Sequence, residues 1–102
     1  MNNADKIARC KELEQWIKAG DFFKVNGILG FDIEFIETEQ TLQFTEDGGG
    51  EAENHTALGL DEITEIEWDG SLEHCHILMT DGQGYAFTSF YYSQRGIPEE
   101  GV

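Results

Sequence analysis

Two histidines separated by one residue, His74 and His76, flank Cys75. On a β-strand, residues i and i+2 share a face about 6.6 Å apart at their Cα atoms, and two ring nitrogens at that spacing can converge on one metal ion. A carboxylate from Asp81 or Glu73 would complete the ligand set. The third histidine, His55, falls in a segment read below as a loop. A metal-binding domain or metalloenzyme centred on His74, His76 and Asp81 is therefore one reading. The simpler one is a pair of imidazoles that hydrogen-bond within a sheet or face solvent.

Carboxylates recur at the same two-residue spacing: Asp32/Glu34, Glu37/Glu39, Glu51/Glu53, Glu65/Glu67 and Glu67/Asp69. If these pairs lie on strands, each projects parallel anions from one side of a sheet. One strand of a DNA duplex presents a phosphate about every 3.4 Å of axis, so one carboxylate row has roughly half that density and two neighbouring rows would match it. Such rows suit the Lys and Arg side chains of a nucleic-acid-binding protein, with affinity that falls as salt rises. The residues expected to form this surface are Glu34, Glu37, Glu39, Asp47, Glu51, Glu53, Glu65 and Glu67. The competing reading is an ordinary solvated sheet face.

The aromatic run Tyr85, Phe87, Phe90, Tyr91 and Tyr92 could stack nucleic-acid bases only beside a positive groove, and Arg95 is the sole cation nearby. Phe87 and Phe90 are therefore read as core. Tyr91 and Tyr92 face opposite ways along a strand, so one of them is the expected anchor at an interface. Other catalytic chemistry finds no support. No serine sits at a strand-to-helix elbow, and the glycines Gly48, Gly49 and Gly50 are flanked by acid that would repel phosphate. The expectation is a protein that is not an enzyme and needs no cofactor.

Charge is unevenly spread along the 102 residues. Five of the six basic residues lie in the first 24 positions, so residues 25–102 set seventeen Asp and Glu against Arg95 alone. The total is −15. Self-repulsion of that size opposes compaction while speeding encounter with cationic partners, and it disfavours contact with phosphates or anionic lipid surfaces. Hydrophobic residues still make up 39% of the chain, enough for a core. The N-terminus lacks the basic and apolar regions of a signal peptide and no apolar run is long enough to span a bilayer, which favours a cytoplasmic setting. There, Cys10 and Cys75 are expected as reduced core residues.

These groups must be positioned by a small set of elements. Ile7, Cys10, Leu13 and Ile17 recur at helical spacing after a capping Asn2 or Asn3, predicting a helix from about residue 3 to 19 that stops at Gly20. A short extra turn is expected at 21–24, then a tight turn at Asn26-Gly27. Alternation predicts strands from Gly30 (Phe31, Ile33 and Phe35 inward), over 41–45, over 63–68, and two-sided strands over 72–80 and 85–92. Residues 46–56 read as a flexible acidic loop and 94–102 as a loose tail. The expectation is a single α+β domain over 1–102, with the N-terminal helix packed on an antiparallel sheet of four or five strands. Its expected role is to bind a basic protein, for example as a nucleic-acid-mimicking inhibitor of a nuclease of the phage anti-defence or immunity type. A structural or adaptor module is the remaining alternative.

Overall fold

The computed structural model of the chain describes residues 1–69 and 74–91. The order is α1 (Asn3–Ala19), β1 (Phe22–Val25), β2 (Ile28–Ile36), a 3-10 turn (Glu37–Glu39), β3 (Thr41–Asp47), β4 (Glu53–Gly59), a second 3-10 turn (Leu60–Glu62), β5 (Ile63–Trp68), β6 (Cys75–Met79) and β7 (Gly84–Phe90). All strands join one antiparallel sheet in the order β4-β3-β2-β1-β7-β6-β5. The α+β class expected from the sequence stands, but the sheet has seven strands rather than four or five.

The two additional strands have physical reasons. β1, expected as a turn, is only four residues long, and its alternation is too short to register as a pattern. It is held on both sides, by β2 and by β7. β4, expected as part of a loop, is polar because it is an edge strand that buries little besides Leu58. It pairs along its whole length with β3, so only residues 48–52 of the expected 46–56 loop lie outside strands.

α1 begins where expected, because the Asn2 side chain accepts a hydrogen bond from the Asp5 amide at 2.8 Å. Cys10, Leu13 and Ile17 are buried, and Ile7 and Trp16 pack at the margin of the core. Lys6, which the apolar spacing did not mark, is buried too, and its Nζ donates to the Leu60 carbonyl at 2.8 Å. Arg9 likewise donates to the Ile66 carbonyl at 2.8 Å. The helix thus ties Lys6 and Arg9 to the margin of the sheet that carries β5. Edge strands need such cover.

Two bulges curl the sheet. Gly30 and Ile33 are both buried although three apart, which a regular strand forbids; the ladder shifts between Gly30 and Asp32, leaving Phe31 as the extra residue. Phe31 was expected to point inward with Ile33 and Phe35, but the bulge leaves it half exposed. Ile63 and Ile66 repeat the device in β5, where the shift falls between Ile63 and Glu65. β3 and β7 are three strands apart, about 14 Å on a flat sheet. Yet the Phe44 ring meets Tyr85 and Phe87 edge-on, with centroids 5.7 and 5.2 Å away. The inner face is therefore concave, and α1 lies against it, touching β1, β2, β5 and β7. Trp16 and Trp68 close the contact at 4.9 Å.

At the β1–β2 turn, Asn26 and Gly27 both have positive φ, 52° and 83°, the geometry that suits a two-residue hairpin. The Asn26 side chain also accepts from the Ala86 amide at 2.9 Å, locking this turn to β7. β6 was expected to be apolar on both faces, but it buries only Cys75, Ile77 and Met79 and exposes His76 and Leu78. The expected start of that strand at Leu72, the turn residue Gly70 and the tail from Gln94 lie outside the described residues.

Candidate functional site

The strand registers assign the main outward residues of the curved sheet. β5 shows Glu65 and Glu67; β6 shows His76 and Leu78; β7 shows Ala86, Thr88 and Phe90; β1 shows Phe22 and Lys24; β2 shows Leu29, Asp32 and Glu34. Beyond them come Gln43 and Thr45 of β3, then His55 and Ala57 of β4. Among the described residues, no second element covers this face.

The face has an acidic edge at β5, a second acidic pair on β2 and an aromatic stretch between them. In the centre, Phe22 and Phe90 stack with centroids 4.7 Å apart and planes 6° from parallel, and the Lys24 ammonium sits 5.7 Å above the Phe90 ring. Phe90 was expected in the core. Phe87 is there, fully buried, but Phe90 lies three residues further along the same strand and so faces out. At the β5 margin, Glu65 and Glu67 share a side of the strand, where a protonated carboxyl of one can hydrogen-bond to the other. That contact, with the repulsion of like charges, raises the Glu67 proton affinity above that of an ordinary glutamate. On β2, Asp32 and Glu34 make no hydrogen bond or ion pair among the described residues, though Lys18 lies near enough to feel both charges.

The structure disperses the other expected acids. Glu37 and Glu39 sit on a 3-10 turn rather than a strand, and Glu37 is paired with Lys11 at 2.8 Å. Asp47 and Glu53 are cross-strand neighbours at the β3–β4 turn, where Asp47 accepts from the Gly49 amide at 2.9 Å and Glu51 belongs to the turn itself. This turn is at the opposite end of β3 from Glu37 and Glu39, about 20 Å away along the strand. Asp69 is bound to His74 instead of extending the β5 row. Only Asp32/Glu34 and Glu65/Glu67 form the parallel rows that the spacing suggested, and they are four strands apart, about 19 Å along the sheet. Tyr91 directly follows β7 and is half-buried; Tyr92 lies outside the described residues.

The histidine constellation does not assemble as drawn from the sequence. His74 Nδ1 lies 3.0 Å from Asp69 Oδ2, and the two imidazoles are 6.0 Å apart. Asp81 is at the other end of β6, where it accepts from the Gln83 amide at 2.9 Å and shapes the β6–β7 turn. Glu73 lies outside the described residues. Among the described residues no three His, Cys, Asp or Glu side chains are grouped to hold a metal. His55 stands on β4 with Nδ1 3.4 Å from Thr45 Oγ1. Both cysteines are free and buried, and desolvation pushes Cys10 up to about 11 and Cys75 up to about 12, so neither supplies a thiolate nucleophile at neutral pH.

The five cations of the N-terminal segment are all engaged: Lys6 and Arg9 on carbonyls, Lys11 on Glu37, Lys18 on Glu14 at 2.9 Å, and Lys24 on Phe90. The sequence reading missed Leu29, Phe31, Phe22 and Lys24. Strand parity alone would have separated Phe87 from Phe90, but the bulge that frees Phe31 leaves no local signature. No helix among the described residues is long and apolar enough to cross a membrane. No protein family, curated protein or solved structure matches the chain.

Proposed function

We propose that this protein acts by binding a basic partner protein through the outer face of its sheet. The observation that carries the reading is the Glu65/Glu67 pair. The two side chains lie side by side on the outer face of β5, opposite Leu78 and His76, so their like charges repel, and no Lys or Arg forms an ion pair with them among the described residues. A Lys or Arg from a partner would relieve that repulsion. Asp32 and Glu34 offer a second cation-binding pair, and the net charge of −15 would steer the encounter over a longer range. The chain's own cations compete only in part: Arg9 is bound to the Ile66 carbonyl and Lys18 to Glu14, although their charges also act on Glu67 and on Asp32 and Glu34 respectively.

The arrangement favours docking to a basic protein surface over imitation of a phosphate row. Mimicry needs two neighbouring lines of charge, whereas these pairs are separated by the strands that carry Lys24, Phe22 and Phe90. Inhibition of a nuclease or another nucleic-acid-binding protein is the specific role proposed within this reading. Capture of basic proteins from lysate by the wild type, by Glu65→Lys/Glu67→Lys and by Asp32→Lys/Glu34→Lys tests it. A partner held at low salt should be lost at high salt, and each reversal should slow association about tenfold or more. Equal capture by all three proteins would remove the reading.

A further inference from the structure

One depression in the surface adjoins the β2 pair. It is a groove of about 600 Å³ between the C-terminal end of α1 and the bulged segment of β2, lined among others by Ile17, Phe23, Leu29 and Phe31, with Asp32 at its rim. That volume falls within the roughly 300–1,000 Å³ of typical binding sites. Its wall includes two of the few large apolar side chains left in water, Leu29 at 38% and Phe31 at 50% exposure. The bulge makes this possible, because Phe31 has no opposite residue on β3 to pack beside.

We infer that this groove receives one large apolar side chain of the basic partner, while Asp32 and Glu34 take the Lys or Arg residues that flank it in the partner's sequence. The inference rests on the docking proposed above and adds to it the kind of segment recognised. Charge selects the occupant. The rim cation, Lys18, is bound to Glu14 at 2.9 Å and its charge also acts on Asp32 and Glu34, so one cation faces three carboxylates and the surroundings favour a cationic segment. A second copy of this chain would bring another −15 against the same carboxylates. An apolar anchor within a rim of complementary charge also divides the work sensibly: charge speeds arrival, and the buried side chain slows departure.

The test uses the full chain and three short synthetic peptides: one alternating Lys and Ser around a central Trp, one with that Trp replaced by Ala, and a Glu-for-Lys control. The Trp peptide should bind about tenfold more tightly than the Ala peptide, because only it buries a large apolar side chain. The control should not bind. Phe31→Ala and, separately, Leu29→Ala should bring the Trp peptide to the level of the Ala peptide. Amide shift mapping on the wild type should place the Trp peptide at residues 17–23 and 29–33. If both cationic peptides bind equally with strong salt dependence, the charge reading survives and the groove inference falls. If neither binds at low salt, both fail. Concentration-dependent self-association that neither peptide disrupts would assign the groove to a second copy and overturn the inference.

Discussion

On the inner face of the sheet Phe44, Tyr85 and Phe87 meet edge-on, whereas on the outer face the half-buried Phe22, Phe90 and Lys24 stack between two pairs of carboxylates. Strand β7 contributes to both sets, Tyr85 and Phe87 inward and Phe90 outward, while Phe44 comes from β3 and Phe22 and Lys24 from β1. What separates them is curvature: it brings the inner residues of β3 and β7 into contact and spreads the outer ones apart. The inner face is thus where substitutions should cost stability, and the outer face is where they should change binding with little effect on the fold.

The largest contrast is between two residues on neighbouring strands. Phe87→Ala, at a fully buried position, should lower unfolding free energy by about 3–5 kcal/mol, while Leu78→Ala, 46% exposed on the outer face, should change it by no more than about 0.5 kcal/mol in urea titrations. Similar values for the two would break the comparison. Next comes the cross-strand pair Phe23 and Gly30, where a methyl group at Gly30 would collide with the Phe23 ring. Gly30→Ala should cost about 1–3 kcal/mol through overpacking, and the same denaturation curves check it. An unchanged midpoint would mean that the ring does not lie over Gly30.

The smallest effect sharpens the outer-face side of the comparison. Because Glu67 binds its proton more readily in the fold than in the unfolded chain, the pair's contribution is fully present in acid and is lost as pH rises through the titration of Glu67. Glu65→Gln removes the like charge at neutral pH. Its melting temperature should therefore exceed that of the wild type near neutrality, with the difference shrinking toward acid. A difference independent of pH would show that the two carboxyls do not interact.

Much of this arrangement is legible in the residues themselves. Helical spacing from Ile7 to Ile17, the Asn2 cap, the Asn26-Gly27 turn and alternation in β3 and β5 are local properties, so α1, most of the strands and the outward position of Glu65 and Glu67 follow from them. The excess of acid over base beyond Lys24 is likewise a property of sequence alone. Tertiary structure decided the rest. β1 and β4 exist because neighbouring strands pair with them, Phe31 is exposed because a bulge reconciles Gly30 with Ile33, and Lys6 is buried because Leu60 offers a carbonyl. Asp81 is apart from the imidazoles because they fall at opposite ends of β6, and the acid rows are four strands apart because strand order does not follow chain order. Spacing determines which side of a strand a residue faces; only the pairing of distant segments determines what stands beside it.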